Sequence, residues 1–600
     1  MQTAPMNTTV TAKIDGSDPG LQFRSVHIRQ ALFEPCRIDL ALGLKTNEVE
    51  EAHKKAVSEW LGATLEIVFK DKEESSIEKK YKGTITSLSA TEDGIVLRAF
   101  SEDHLLTRGR KHRSFVDLSV QDIVNSVVRE SVGSADLQGP GDSIRMKFFQ
   151  QYQETDAEFL KRLARMDGCV FYHDGEKFQY CSKLGGKTSV SLQESQISGV
   201  SLDCNLELNK WRGAPYDFVK HNDPKDLEVE SGKYTPPEHP MLSKTYDKSK
   251  KVFGKAVDEL FEEGVTEKPQ FEKFLKHQQS LAAGHFVQVN GETHHPMVSI
   301  GRTIQCDDNA ILKNPVVVTA ISAFFQDNGY NATFEASPAD VGAQPEVHHK
   351  RRSIGTLQPG IVTDNKDPEK LGRVQIQMVW DDEGSSLPWA RILQTGAGGS
   401  NGKSYGTHYI PRIGDQVLVG YLHGDPSVPI VLGSLYHSEH KPDFMTENGT
   451  EEVLVVRTPQ ESTIRVLDKK GSEEIIVSMK DDKNIIRLEL KEPKITVESK
   501  DGTVLVKSKA IQFNADDSIE MTAKKVTVKA DTDVSVEAQM SVKLKADTQC
   551  NIEAGTTLGL KGSATCTVEG TGGLTLKNAA AQIAMNGPSV NVNNGALEVI

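Results

Sequence analysis

The sequence predicts a multidomain, mainly β protein with some α: a mixed N-terminal half, a small barrel, and a C-terminal triple-stranded β-helix wound from three chains. Three observations predict it. Apolar pairs of the form h-x-h recur with a step close to 8 residues from Val504 onward. Turn chemistry divides residues 361–437 into short strand patterns. Between the barrel and the N-terminal half, Ser337–Gly360 is rich in Pro, Gly and charge and has no apolar period, so it reads as a linker.

The bulk numbers fit this division. At 600 residues the chain is too long for one core. With 37% hydrophobic and 26% charged residues it is globular rather than disordered. A formal net charge of −14 and an aromatic content of 6% argue against a nucleic-acid partner. The N-terminal MQTAPMNTTV has neither a basic nor an apolar region of a signal peptide, which predicts a protein made in the cytoplasm. No apolar run reaches the ~20 residues needed to span a bilayer. The seven cysteines are scattered without a CxxC pair and read as free, buried thiols.

Residues 1–336 mix strands and helices. Leu65–Phe69 and Gly94–Arg98 carry strand patterns. Asn47 is a candidate N-cap for EVEEAHKKAVSEW, with Glu50 three residues on and Gly62 closing. Thr155 and Glu158 form a capping box before FLKRLARM, with Gly168 ending that helix. Two further helices fit Phe253–Glu263 and Phe271–Ala283.

In the barrel, strands fit Arg373–Trp380, Trp389–Leu393, Gln416–Tyr421 and Ile430–Gly433. Residues 438–500 form a neck at the start of the prism. The octad tract, 501–600, carries two columns. The apolar pairs include Val526/Val528, Val534/Val536, Val542/Leu544, Leu558/Leu560 and Leu574/Leu576, the expected trimer core. Two residues after each pair stands a small or turn-tolerant residue, such as Ala530, Ala538, Ala546 or Gly562. Two inward residues in eight are too few to fill a single-chain solenoid. Three chains, each giving one wall of a prism, bury the pairs on a common axis and pair each other's strand edges. At ~4.8 Å per octad, the rod would be roughly 58 Å long.

This order of domains resembles the VgrG family, the trimeric spikes of type VI secretion, and is similar to the fused hub and spike of contractile phage tails. Leu371–Val374, Trp380-Asp381, Trp389–Arg391, Tyr409–Val417 and Gly424–Ile430 follow the family's OB-fold barrel pattern. Its motif positions here are Gly372, Arg373, Trp380, Trp389, Pro411, Arg412, Gly414, Gly424, Asp425 and Pro426. Gln151–Leu160, with Leu163 and Gly168, resembles the hub helix. The acidic insert at Glu48–Leu61 departs from the commonest members.

The resemblance implies a homotrimer with hexameric tube protein at the hub end and a conical PAAR-type tip protein at the other. Effectors, chaperones, baseplate proteins and the target-cell envelope are further implied partners. Such a spike is assembled in the bacterial cytoplasm and then secreted or delivered. The pairs Val590/Val592 and Leu597/Val599 continue the octads, so Val590, Val592, Leu597, Val599 and Ile600 are expected to dock the tip. The hub-spike of a phage or phage-like extracellular particle is the mechanical alternative.

An envelope hydrolase or toxin is the alternative of another class. No catalytic residues, cofactor or metal are expected. Gly402-Lys403-Ser404 lacks the earlier Gly and following helix of a phosphate loop. The histidine pairs at 294/295, 348/349 and 437/440 do not make a four-ligand zinc set. Only a short segment, Ser438–Glu452, separates barrel from prism, and the octads run to the C-terminus, leaving no room for a catalytic domain.

Overall fold

The computed structural model describes residues 8–592 apart from 45–48, 73–75, 186, 216–227, 259–264, 266, 328, 340, 342–352, 382–386, 445–451, 580 and 587–588. It divides into two compact units, Met1–Thr450 and Glu451–Ile600.

The first unit is organised by a sheet of 12 strands. Its N-terminal part pairs Thr8–Ile14, Thr64–Asp71, Glu78–Thr91, Gly94–Phe100 and Arg37–Gly43 in that spatial order. Gln22–Ala31 follows and pairs antiparallel with Val316–Gln326, from Ala31 opposite Ala320 to Ser25 opposite Gln326. Gly329–Pro338, Val287–Thr293 and Ile197–Cys204 complete the path. The sheet therefore joins distant parts of the chain: His27 and Ser322, hydrogen-bonded across it, are 295 residues apart in sequence. Period-2 alternation supplies the core. Leu65, Ile67 and Phe69 point inward from one strand and are all buried, beside Tyr81, Leu97, Phe325 and Phe334. Phe69 meets Tyr330 edge-on at 5.3 Å.

Four of the five described α-helices lie outside the acidic insert. Ser119 and Asp122 cap Val120–Ser131 reciprocally. Thr155 and Glu158 do the same for Asp156–Asp167, and Gly168 ends that helix at φ 67°, a left-handed position that glycine tolerates best. The helix expected at Phe271–Ala283 begins one turn earlier, at Lys268. The helix expected at Phe253–Glu263 is corrected: Pro240–Val252 is helical, Phe253 is its C-cap, and Val257–Asp258 is a strand. Residues 259–263 of that expectation lie outside the described residues. Asn47 does too, while the insert continues as Val49–Lys55 and a π-turn, Ala56–Trp60, that buries Trp60.

The barrel closes in the order Gln358–Asp364, Val374–Met378, Trp389–Ile392, Pro429–Ser434 and Gln416–Tyr421. Its core is Val362, Val374, Ile376, Met378, Ala390, Val417, Val419 and Val431. The expected linker shrinks at both ends. Ser337 pairs with Val317 within a strand, and Gln358–Gly360 already pair with Val417–Val419. Gly402-Lys403-Ser404 belongs to a hairpin, Gly398–Ser400 with Lys403–Tyr405. Asn401 and Gly402 turn it at φ 51° and 73°.

In the second unit, residues 452–499, within the expected neck at 438–500, form a five-stranded antiparallel meander. Among residues 503–573, all described, none is in a strand and all are exposed. The backbone bends instead at 501/502, 509, 516/517, 524, 531/532, 539/540, 547/548, 555/556, 563/564 and 571/572. The octad expectation does not extend to the last pairs. Leu574–Lys577, Gln582–Asn586 and Ser589–Val592 pair as a second antiparallel meander, with Leu574 opposite Met585 and Leu576 opposite Ile583. Asn578 N–H bonding to the Ala581 carbonyl turns the chain back on itself there, so these strands find their partners locally.

Candidate functional site: the hub–barrel junction and the octad tract

Within the first unit, the first barrel strand is tied to residues 112–152 by a cluster of polar and aromatic side chains. Gln358 opens the first barrel strand. Its side-chain amide donates to the Tyr152 hydroxyl at 2.8 Å. Its carboxamide oxygen accepts from the Trp380 indole at 3.0 Å and the Tyr421 hydroxyl at 3.0 Å. An indole N–H can only donate, which fixes which end of the amide faces Trp380. The same indole stacks on His112 at 5.3 Å and meets Tyr152 edge-on at 5.4 Å. Ser114 reaches Asp381 at 3.3 Å. Burial pushes the Tyr421 phenol up, so it stays a neutral donor.

Behind Tyr152 the hub is fastened by charge. Asp156 is buried at the helix N-terminus and takes Lys111 at 2.7 Å, Arg113 at 2.8 Å and the Gln151 amide at 2.9 Å. Arg162 holds Glu154 at 2.8 Å, both side chains buried, and lies 4.4 Å above the Phe149 ring. These contacts explain why Gln151–Leu160 is a readable motif.

The barrel motif positions divide into a clamp and turns. Arg373 grips Asp367 through Nη2 at 2.7 Å and Nε at 3.1 Å, and faces the Trp389 ring at 5.9 Å. Burial pushes the Asp367 carboxyl up. The guanidinium and the N–H groups of Glu369, Leu371 and Arg373 outweigh it and hold the group well below the carboxylate range. Gly372 precedes the clamp at φ 74°. The Arg412 N–H donates to Asp415 at 2.8 Å and Gly414 N–H to Val362 at 2.8 Å, closing the turn after Pro411. Gly424 meets the backbone at Ser353, where an added Cβ would lie 2.7 Å from the Ser353 Cβ. Asp425 is buried and caps Ser427 at 2.8 Å ahead of the strand, with Pro426 between them. Asp367, Gln358 and Tyr421 are the residues sequence reading missed; an aspartate six residues before a motif arginine was the available signal for the first.

Asp103, His173 and Lys79 are among the buried groups shifted far from their ordinary values. Burial raises Asp103 to about 7, lowers His173 to about 4 and lowers Lys79 to about 8. Lys79 donates to the Asp174 carbonyl at 2.6 Å. A hollow of about 860 Å³ is lined by Arg29, Arg37 and Lys161 but also by Glu34, Glu292 and Glu335, so its charges cancel. Ser322 at its wall hydrogen-bonds His27 at 2.7 Å, yet Asp39, the neighbouring carboxylate, is held by Arg37 and Arg98 at 2.8 Å each. Asp39 is thus committed to the two guanidiniums rather than to the imidazole. Among the described residues no group of three or more His, Cys, Asp or Glu is placed to hold a metal ion. The His437 and His440 rings lie 4.6 Å apart, and His348 and His349 lie outside the described residues. Among the described residues no helix is long and apolar enough to cross a membrane.

In the second unit, each expected trimer-core residue of the octads stands open. Val526, Val534, Val542 and Leu558 are 53–62% exposed, and their partners Val528, Val536, Leu544 and Leu560 are 68–76% exposed. Leu574 and Leu576 sit in the second meander. Val590 and Val592 lie in its last strand, and Leu597, Val599 and Ile600 are outside the described residues. Of the seven cysteines, Cys36, Cys169 and Cys306 are buried, whereas Cys204, Cys550 and Cys566 are exposed.

Comparison with known proteins gives the family. The sequence profile of the phage tail baseplate hub (GPD) matches residues 30–329, half of the chain. The profile of the type VI secretion system/phage-baseplate injector OB domain matches residues 358–436. The chain is 26% identical over 538 residues to the type VI secretion system spike protein VgrG5 of Pseudomonas aeruginosa, covering 79% of this chain and 64% of that one. It is 25% identical over 412 residues to the spike protein VgrG3 of Vibrio cholerae, covering 62% and 39%. It thus spans less than two thirds of these relatives' length. A solved Francisella PdpA-VgrG complex, half-lidded, shares the fold at a TM-score of 0.51 and 10% identity, covering 82% of this chain and 87% of that one. The chain belongs to the VgrG family of type VI secretion spike proteins, built on the phage tail baseplate hub.

Proposed function

We propose that three copies of this chain form the puncturing spike of a type VI secretion machine. The observation that carries this reading is the octad tract: extended segments that bend every 7 or 8 residues, with no strand partner in their own chain among the described residues and open apolar pairs. A soluble protein does not leave such a stripe in water, and two further copies supply both the hydrogen bonds and the cover. The hub unit would sit on hexameric tube protein and baseplate proteins. The octad unit would carry a conical PAAR-type tip, with effectors and their chaperones loaded on the assembly. Made in the cytoplasm, the spike would leave the cell by contraction and meet the target envelope.

The work is mechanical rather than catalytic in this reading. One relative is named actin cross-linking toxin VgrG1, and that name describes the relative. Co-expression with the tube protein tests the proposal. Electron microscopy should show three-fold particles seated on tube ends, and the purified particle should leave peptidoglycan intact. Particles without tube, or peptidoglycan cleavage, would contradict it.

A further inference from the structure

Resting on the trimeric reading, this inference concerns how three chains find the right register. The meander of the second unit is Glu452–Arg457, Thr463–Leu467, Glu474–Ser478, Asn484–Glu489 and Lys494–Ser499. Its pairing places Leu454 opposite Val466, Val456 opposite Ile464, and Ile464 opposite Val477. It continues with Val466–Ile475, Ile475–Leu488, Val477–Ile486, Ile486–Val497 and Leu488–Ile495. Directly opposed residues share a face. All ten of these positions are apolar, with Asn484 and Ser499 ending the face, and eight of the ten are exposed, from Leu488 at 40% to Ile495 at 72%, while Val456 and Val466 are half-buried. On the other face, rich in charge, Ile476 and Ile485 are buried. That side buries Thr463, Ile476, Ser478 and Ile485 and keeps Arg457, Lys494 and Glu498 in solvent, while most of the apolar side stands exposed.

The tract that follows cannot set its own register. From Val526 through Val534, Val542, Cys550, Leu558 and Cys566 the step is a strict 8 residues, with a small residue at the same place in each unit. A chain displaced by one octad still sets apolar pair on apolar pair and loses one layer. Between Val504 and Leu576 only the first units break this degeneracy. The steps Val504 to Ile511 and Ile519 to Val526 are 7 residues, and there the bend is a single residue, Lys509 or Lys524, instead of two. A displaced chain would turn an inward position outward at these units, because side chains alternate with period two. Sheet and short units are adjacent. The Lys500 N–H bonds the Lys483 carbonyl at 2.9 Å, four residues before Val504.

We propose that residues 452–526 are the register-setting seed of the spike: the meanders of three copies close apolar face to apolar face, the short units lock their alignment, and the strict octads zip afterwards. The occupant of the open face is the same face of two further copies. The meander has a complete hydrogen-bonded sheet within one chain before assembly, whereas the octads at 503–573 have none.

Cys550 and Cys566, both exposed and two octads apart, report the alignment. The full chain carrying Cys204→Ser is refolded, oxidised with copper phenanthroline, digested and read by mass spectrometry. Chains in register give 550–550 and 566–566 links; a two-octad slip gives 550–566. Two variants are compared: insertion of one serine after Lys509 and one after Lys524, and the pair Ile475→Thr with Leu488→Thr. Each should remain trimeric and raise the 550–566 share about tenfold, a loss of ~1.4 kcal/mol in register discrimination. Like-with-like links alone in both variants, while trimeric, would overturn the proposal. A parent chain that is monomeric overturns the trimeric reading instead, and is seen before any link is counted.

Discussion

The Gln358 amide donates to the Tyr152 hydroxyl at 2.8 Å, tying the first barrel strand to a hub strand 206 residues earlier. The other end of the same carboxamide accepts from Trp380 and Tyr421. One uncharged side chain thus sets the position of three aromatic groups. Replacing Gln358 with Leu leaves an indole N–H and a phenol hydroxyl without their acceptor. The expected cost is about 2–4 kcal/mol, read as a lower denaturation midpoint, with Tyr152→Phe costing ~1 kcal/mol. Equal effects of the two changes would show that the junction does not depend on the shared acceptor.

Arg373 and Asp367 form the clamp inside the barrel, with side chains 7% and 4% exposed. Removing one partner of a buried pair strands the other. Arg373→Ala should cost about 3–5 kcal/mol. Arg373→Lys should recover only part of it, because an ammonium cannot make the forked contact. Asp367 is held below its ordinary value, so its contribution is present above pH 3.8 and lost as pH falls through the folded value. Circular dichroism of the two variants across acid pH checks both statements.

Asp103 and His173 pull in opposite directions. The Asp103 carboxyl titrates near 3.8 when unfolded and about 7 when folded, so the folded state keeps the extra proton and its contribution is lost as pH rises through that window. His173 falls from 6.5 to about 4, so the unfolded state takes the proton and its contribution grows as pH rises. Asp103→Asn retains the acceptor for Ser101 and removes only the first effect. The variant should gain roughly 2 kcal/mol more than the parent between pH 5 and 7. An unchanged pH slope in urea unfolding would contradict this assignment.

Much of this was legible in the sequence because the signals are local. The Thr155/Glu158 box and Gly168 give a helix its ends through their own backbone bonds. Strand periodicity found Leu65–Phe69 and Gln416–Tyr421 in the same way. The helix Pro240–Val252 was hidden because its buried face is Leu242, Thr245 and Ser249, which shows weak apolar contrast. The junction was hidden because Tyr152, Gln358 and Tyr421 meet only in the folded chain. The octad columns found the h-x-h pairs at the far end of the tract, but alternation serves an intrachain hairpin as well as an interchain prism. That is why 574–592 closes as a meander.

The proposed tip site is residues 590–600, of which Val590 and Val592 lie in the last strand of the second meander. Deleting Asn594–Ile600 should leave a folded trimer that no longer retains its conical tip protein in pull-down and no longer releases tube protein. Normal tip binding by that truncation would place the docking surface elsewhere.

Assembly itself is tested by the mass of the purified chain in multi-angle light scattering. Three times 65.9 kDa is expected. Val534→Asp with Val536→Asp would set six carboxylates on the trimer axis and should prevent the octads from joining. A stable, folded monomer of the parent chain, or a double variant whose octads still assemble, would contradict the trimeric spike.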